Sequence, residues 1–267
     1  MNITFIGGGN MASAIIGGLV RQGGHRIRVS DRNPDKLAAL SSSFGIEPLP
    51  VLPGSFGADE IVVLAVKPQG LRDVALELAG RLDGALVVSV AAGIGTEALC
   101  RWLGTARVAR VMPNTPAMVG KGVSGVYGAP ALGGDDVARV TGMMEATGIA
   151  VRLAEERGID DITCVSGSGP AYVFYFMEAM MEAARRTGFG DDEARRLVLA
   201  TFEGAVALAG ASDSGFAQLR ANVTSKGGTT ERAIARFEAE GVKAAIVAGA
   251  FDCRARSVEM GQQLSQD

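Results

Sequence analysis

The chain has 267 residues, a formal net charge of −3 and a single histidine, His25. A chain of this length can bury one large core or two modest ones. The absence of a basic stripe argues against a nucleic-acid partner, and one histidine excludes a multi-histidine metal site, so we predict no metal. No apolar run reaches the roughly 18 residues that span a bilayer, so we predict no membrane partner and a small-molecule substrate.

The cysteine pattern indicates a reducing compartment. Cys100, Cys164 and Cys253 are an odd number of widely spaced cysteines without a CxxC pair. Such usage is typical of cytosolic proteins. The N-terminus runs directly into a strand, without the basic and apolar regions of a signal peptide. We therefore predict a cytoplasmic protein.

The first half of the chain alternates between short β-branched runs and helical patterns. This rhythm predicts βαβ units and a mostly parallel sheet of the Rossmann type. The helical patterns include Met11–Arg21 and 135–147. We assign residues 1–155 to an α/β, NAD(P)-binding domain. The predicted strands are Ile3–Ile6, Ile27–Val29, Ile61–Val66, Leu86–Val90, Ala106–Val111, Gly125–Tyr127 and Ala150–Leu153.

Residues 156–267 show helical patterns without a convincing strand. They predict an all-α domain for substrate binding and oligomerisation. Helices are expected to begin near Asp191 and Thr229 and to stop near glycines 188, 210 and 241. The segment Ala171–Ala184 is apolar on nearly every side, more than a helix packed on one neighbour can bury. We interpret it as an oligomer core. The alternative is a central helix wrapped by its own domain.

A glycine-rich turn opens the chain. Gly7, Gly9 and Ala12 fit the pattern G-x-G-x-x-A between a strand and a helix. The first glycine permits the tight turn, the second allows a pyrophosphate to approach, and the small third residue lets helix and strand pack closely. The alternative is a plain connecting turn. The context favours a dinucleotide site formed by Gly7, Gly8, Gly9, Asn10 and Met11.

Two neighbouring residues give opposite indications about the cofactor. Asp31 closes the second predicted strand, where a carboxylate accepts hydrogen bonds from a ribose and repels a 2′-phosphate. The adjacent Arg32, helped by Lys36, attracts that phosphate, although it also fits an ordinary solvated turn residue. We predict NADPH as the cofactor, with NADH as the open alternative.

Five further segments carry a resemblance. Together with GGGNM at the start, they are similar to the pyrroline-5-carboxylate reductase family over about residues 2 to 260. The resemblance implies reduction of a cyclic imine, 1-pyrroline-5-carboxylate, to L-proline, and homodimers that assemble further into decamers. The five segments are AVKPQ (65–69), SVAAGI (89–94), RVMPNTP (110–116), VSGSGPAY (165–172) and VTSKGGTT (223–230).

Lys67 follows an apolar strand and precedes Pro68, so we expect it at the carboxyl edge of the sheet, where ligand crevices open. Its ammonium is predicted to contact the nicotinamide ribose or the substrate region, which makes it a candidate catalytic residue. A solvated lysine at a strand end is the alternative. The resemblance places the segment Ala65, Val66, Lys67 and Pro68 against the cofactor, and we expect Ala91 and Asn114 to line the same crevice.

The segment VTSKGGTT predicts an anion site. Gly227 and Gly228 are expected to expose backbone N–H groups at the start of a helix, which suits a carboxylate. A simple helix cap with a glycine turn is the alternative. The resemblance implies that Ser225, Gly228 and Thr229 hold the substrate carboxylate, and that the hydroxyl of Thr230 meets the ring nitrogen.

Reduction of a cyclic imine makes little demand on a proton donor, which suits a chain that has one histidine. A protonated imine is already electrophilic and its product is a basic amine, so a hydroxyl or a water molecule suffices as proton donor. Two departures from the family are Ala221, where an acidic residue is common, and Asp31, where a neutral one is common. The alternatives are a β-hydroxyacid-dehydrogenase-like enzyme using Lys226 and a non-catalytic nucleotide-sensing protein.

Overall fold

The computed structural model describes residues 1–265, which fall into two compact units. The first unit comprises residues 1–170 together with the chain from Asp252 onward, and the second comprises residues 171–251. Compactness alone does not say where cofactor binding ends and substrate binding begins. The functional boundary at residue 155 therefore stays a prediction.

The first unit is built on an eight-stranded sheet in the order β3-β2-β1-β4-β5-β6-β7-β8. All neighbouring strands are parallel except β6 and β7. The order reverses at β1, which has β2 on one side and β4 on the other, so a ligand crevice opens at their carboxyl ends. The strands are β1 (Asn2–Ile6), β2 (Arg26–Ser30), β3 (Glu47–Pro48), β4 (Glu60–Leu64), β5 (Leu86–Ser89), β6 (Val108–Met112), β7 (Gly122–Gly128) and β8 (Gly148–Arg152).

Helices cover both faces of this sheet. Alternate residues of β4 serve the two faces: Ile61 and Val63 belong to one buried cluster, and Val62 and Leu64 to the other. The first cluster includes side chains of α1, α2 and α5, and the second includes side chains of α3 and α4. The helices are α1 (Asn10–Gln22), α2 (Pro34–Phe44), α3 (Leu71–Leu78), α4 (Thr96–Leu103), α5 (Gly134–Glu145) and α6 (Gly158–Ile162).

The second unit is helical and leaves much apolar surface uncovered. Among its helices, only Ala194 and Val198 are buried, whereas Tyr175 is 77% exposed and Phe251 65% exposed. A unit with so little internal core needs a partner surface. The helices that contribute to it are α7 (Gly169–Arg186), α8 (Asp191–Gly210), α9 (Phe216–Asn222), α10 (Thr229–Ala239) and α11 (Val242–Leu264).

The predicted fold class is confirmed: a mostly parallel Rossmann-type sheet precedes a helical region. Each of the seven predicted strands is present, with bounds shifted by a few residues. The helix stops are also found, since α7, α8 and α10 end at or just before Gly188, Gly210 and Gly241. The sequence prediction missed β3, a two-residue strand that contains Pro48, because so short a segment has no periodicity.

Candidate active site

The glycine turn between β1 and α1 is shaped by close backbone contacts. Gly7 has a φ of +102°, and a Cβ atom there would lie 2.7 Å from the carbonyl oxygen of Ala65. Its N–H donates to the carbonyl oxygen of Ser30 at 2.7 Å. A Cβ atom at Gly9 would meet nothing within 4 Å, so this residue leaves open space above the turn. A pyrophosphate could approach the N-terminus of α1 through that space.

Asp31 follows β2 and holds the same turn from the side. Its Oδ2 accepts the N–H of Gly8 at 2.7 Å, and its Oδ1 accepts the N–H of Asn33 at 2.9 Å. The neighbouring Arg32 is exposed. Asp31, which favours NADH, and Arg32, which favours NADPH, therefore lie in different environments. Asp31 is hydrogen-bonded to the backbone, and Arg32 faces solvent.

A cleft of about 460 Å³ opens beside the turn at the carboxyl ends of β1, β2 and β4. Gly7, Asp31, Arg32, Val66 and Lys67 all line it, so the structure brings these predicted residues together. Other lining residues were missed by sequence reasoning: the segment Pro50–Leu52, and Gly70, Asp73, Val74 and Glu77. Gly70 immediately precedes α3, and Asp73, Val74 and Glu77 follow it at the helical spacing of one face of α3, a pattern that could have indicated them.

Lys67 lies directly beyond β4, at the beginning of a short 3₁₀ turn with Pro68. Its side chain is exposed, and Ala65 and Val66 before it are half-buried. The N–H of Ala65 donates to the carbonyl oxygen of Ile6 at 2.9 Å, which fixes this segment against β1. The predicted place of Lys67 at the sheet edge is confirmed, while its contact with a ligand stays a prediction.

Ala91 and Asn114 lie beyond β5 and β6 and are both buried. The amide of Asn114 donates to the carbonyl oxygen of Ser166 at 3.0 Å and accepts the N–H of Val123 at 2.8 Å. The side chain of Asn114 thus connects the segment around Ser166 to the start of β7 at Val123. Any contact of Asn114 with a cofactor would come from its remaining hydrogen-bonding capacity or its backbone, and stays a prediction.

A partly buried ion pair lies near the start of α4. Arg110 pairs with Glu156 at 3.1 Å, and the same carboxylate accepts the N–H and the hydroxyl of Thr96 at 2.7 and 2.8 Å. Burial, reinforced by Glu156, raises the pKa of the Tyr127 hydroxyl and of the Cys100 thiol. Both groups therefore remain protonated near neutral pH. Through its contacts with Thr96, Glu156 also caps α4, the helix that follows the 89–94 segment.

In the second unit, the predicted anion segment precedes α10. A Cβ atom at Gly228 would lie 2.5 Å from the hydroxyl oxygen of Ser225, so only glycine allows this close approach. The expectation that both glycines expose their N–H groups is wrong. Gly228 donates to the carbonyl oxygen of Ser225 at 3.0 Å, and Gly227 donates to the carboxylate of Glu231 at 2.6 Å. For Gly227 the reason is that a glutamate in the first turn of α10 reaches back to it, and for Gly228 that the chain turns back onto Ser225.

The donors that remain at this helix are the N–H groups of its first three residues, Thr229, Thr230 and Glu231. None of them has an acceptor within the helix. Thr229 is exposed and Thr230 is half-buried. With the hydroxyl of Ser225 beside Gly228, these groups form a compact set of donors that suits an anion.

Within residues 1–265, no set of three or more His, Cys, Asp or Glu side chains is placed to hold a metal ion. Nor does that stretch contain a helix long and apolar enough to cross a membrane.

Comparisons with known proteins match up to 99% of the chain. The family model for pyrroline-5-carboxylate reductase dimerisation matches residues 156–260, and the model for NADP oxidoreductase, coenzyme F420-dependent, matches residues 2–93. Pyrroline-5-carboxylate reductase from Pseudomonas aeruginosa is 41% identical over 99% of this chain and 98% of its own length. The Escherichia coli protein of that name is 36% identical over 97% and 98%.

Comparison with solved structures indicates the same family. Pyrroline-5-carboxylate reductase from Coxiella burnetii superposes with a TM-score of 0.88 at 36% identity, covering 97% of this chain and 98% of that one. Pyrroline carboxylate reductase from Plasmodium falciparum, solved with NADP bound, gives 0.85 at 25% identity and covers 98% of both chains. Fold, glycine turn and comparisons define an NAD(P)-dependent oxidoreductase with a helical dimerisation domain. The chain belongs to the pyrroline-5-carboxylate reductase family.

Proposed function

We propose that this chain reduces the C=N bond of 1-pyrroline-5-carboxylate to give L-proline, with NADPH as the cofactor and NADH as the weaker alternative. The observation that carries the proposal is the match to pyrroline-5-carboxylate reductases along the full length of the chain. The glycine turn supports it independently, because the free space at Gly9 fits a pyrophosphate.

We propose that the cofactor runs along the carboxyl edge of the sheet. The turn from Gly7 to Met11 would receive the pyrophosphate, with the unsatisfied N–H groups at the start of α1 as donors. Arg32 would meet the 2′-phosphate beside Asp31 in the cleft. The segment Ala65–Pro68, with Ala91 and Asn114, would line the nicotinamide half.

The substrate carboxylate would be held at the start of α10. Ser225, Thr229 and Thr230 supply the proposed contacts through hydroxyl groups and the N–H groups of the first turn. Gly228 contributes its N–H only if its hydrogen bond to the carbonyl oxygen of Ser225, at 3.0 Å, opens. Gly227 contributes its N–H only if the carboxylate of Glu231, which accepts it at 2.6 Å, moves aside.

When bound, NADPH supplies the hydride that adds to the imine carbon, and the electron pair of the C=N π bond stays on the ring nitrogen. The hydroxyl oxygen of Thr230 would accept a hydrogen bond from the N–H of the protonated imine and so orient the ring. A protonated imine enters the step with the proton it needs, so no strong acid is required from the chain. The ammonium of Lys67 would fix the ribose on the nicotinamide side.

The proposal includes the organisation of the protein. Residues 1–155 would bind the cofactor, and residues 156–267 would bind the substrate and form the dimer, with α7 as the oligomer core. The exposed apolar side chains of α7 and α11 support a homodimer, and we propose that dimers assemble into a decamer. Three free cysteines support a cytoplasmic location.

The decisive experiment measures loss of the reduced-nicotinamide absorbance with purified full-length protein. We expect oxidation of NADPH only when pyrroline-5-carboxylate is supplied. Thr230→Val should lower kcat/KM by about 100-fold, a typical contribution of a hydroxyl aligned with the reacting group, and Thr230→Ser should restore most of it. Thr224→Val is the matched control, because its hydroxyl donates to the carbonyl oxygen of Arg220.

Three results would contradict the proposal. Turnover of a hydroxy acid with oxidised cofactor would favour the β-hydroxyacid-dehydrogenase alternative and its Lys226. Cofactor binding without any turnover would favour a nucleotide sensor. Equal losses in Thr230→Val and Thr224→Val would show that the segment tolerates no substitution and would remove the argument for a specific role of Thr230.

A further inference from the structure

We infer that Asp31 is a positioning residue that fixes the glycine turn for either cofactor, and that it does not select between NADPH and NADH. The inference rests on the proposed cofactor site. The residue type of Asp31 indicates a contact with the ribose, whereas its hydrogen bonds join it to the backbone of the turn.

Both carboxylate oxygens of Asp31 have backbone donors. Oδ2 accepts the N–H of Gly8 at 2.7 Å, and Oδ1 accepts the N–H of Asn33 at 2.9 Å. A ribose-binding aspartate in this place directs an oxygen to the sugar hydroxyls instead. Here each oxygen accepts a backbone N–H of the chain itself, and these two N–H dipoles partly balance the charge.

Gly8 needs this acceptor because it is buried. A Cβ atom at Gly8 would lie 2.9 Å from Cδ1 of Leu40 and 3.4 Å from Oδ2 of Asp31, so α2 and the carboxylate together confine the turn. Removing the carboxylate leaves a buried N–H without its partner, which costs free energy unless the peptide rotates. A rotated peptide at Gly8 would displace Gly9, where the pyrophosphate is proposed to approach.

The hydrogen bonds continue into α2. Asn33, which donates to Asp31, caps that helix by accepting the N–H groups of Asp35 and Lys36 at 2.9 and 3.3 Å. Asp31 therefore connects the β1–α1 turn to the start of α2. Arg32 lies between these residues, exposed and lining the cleft, so the choice of 2′-substituent falls to its guanidinium.

The test measures the Kd of NADPH and of NADH by fluorescence titration, kcat at saturating cofactor, and the unfolding midpoint. For Asp31→Ala we expect both Kd values to rise together by about tenfold, the equivalent of one lost charge-assisted hydrogen bond. Asp31→Asn, which keeps one acceptor, should give a smaller rise. The ratio of the two Kd values and kcat should stay within about twofold of wild type, because the two cofactors share the same turn.

Three controls separate the causes. Arg32→Ala should weaken NADPH binding at least tenfold, as expected for a guanidinium–phosphate contact, and leave NADH almost unchanged. Asp35→Asn removes the same charge from an exposed site and should change neither Kd. Asn33→Ala uncaps α2 and should lower the unfolding midpoint without the tenfold loss of affinity, which distinguishes positioning from general stability.

A change of more than threefold in the NADPH/NADH ratio in either Asp31 variant would overturn the inference, because the carboxylate would then act on the ribose. Unchanged Kd values for both cofactors would also overturn it. Wild-type protein that binds neither nucleotide would refute the proposed function itself, which is a different result from a shifted ratio.

Discussion

Gly7 and Gly9 belong to one motif, yet the structure predicts opposite consequences for replacing them with alanine. At Gly7, φ is +102°, a conformation that costs an L-residue about 1–3 kcal/mol. The added Cβ would also lie 2.7 Å from the carbonyl oxygen of Ala65, and relieving such an overlap costs about 1–3 kcal/mol more. Gly7→Ala should therefore destabilise the protein by about 2–6 kcal/mol, a large part of a typical folding free energy.

At Gly9, φ is −77° and ψ is −177°, which alanine adopts freely, and the added methyl group meets nothing within 4 Å. The gain from a less flexible unfolded chain, about 0.4–1 kcal/mol, is offset by the poorer helix cap that alanine provides. The stability of Gly9→Ala should equal that of wild type within about 1 kcal/mol. Its NADPH affinity should nevertheless fall at least tenfold, because the methyl group occupies the space for the pyrophosphate.

Urea unfolding without nucleotide and titration with NADPH measure the two effects separately. The reasoning is refuted if Gly9→Ala is destabilised as strongly as Gly7→Ala, because the open space at Gly9 would then not exist. It is refuted equally if Gly9→Ala binds NADPH with wild-type affinity.

Three further predictions concern other parts of the chain. A hydrogen bond from Arg107 lowers the pKa of Asp136, so the stabilisation by this pair is complete above the usual carboxyl pKa and is lost as the pH falls through the lowered value. Asp136→Asn should therefore lower the free energy of unfolding by about 2 kcal/mol at neutral pH and weaken the acid dependence of the urea midpoint. The control Asp135→Asn, at an exposed position, should do neither. Lys67→Gln should raise the KM for NADPH about tenfold, as expected for a lost charge-assisted contact, and steady-state kinetics with an unchanged KM would exclude a cofactor contact. Tyr175→Glu, which places a charge on the exposed apolar side of α7, should reduce the mass measured by light scattering to that of a smaller species; an unchanged mass would exclude α7 from the subunit interface.

The sheet could be predicted from the sequence because buried parallel strands contain continuous apolar runs, as in residues 61–64 of β4, separated by helical patterns. The turn could be predicted because only glycine adopts the conformation of Gly7. In each case the local residue types decide the structure. The lining of the cleft by Pro50–Leu52 could not be predicted, because it depends on how a loop without periodicity returns to the sheet.

The partners of polar side chains were harder to predict than their positions. Asp31 lies where the pattern predicts it, but the pattern does not say that its oxygens accept from Gly8 and Asn33. Gly227 is similar, because its N–H is taken by Glu231. A glutamate three residues after the capping position predicts a contact with the N–H of the capping residue, here Gly228, but Glu231 accepts the N–H of the residue before it, Gly227. Which acceptor a donor takes depends on competition among neighbours, and residue type alone does not resolve it.

The scarcity of buried side chains in the helical unit affects how the stability of this protein depends on its concentration. When helices gain most of their apolar contacts from another subunit, mass action enters the folding equilibrium, and dilution lowers the unfolding temperature without any change in sequence or solvent. The sheet unit has two buried clusters of its own and lacks this dependence. Dilution should therefore separate one melting transition into two, with the helical unit losing structure first.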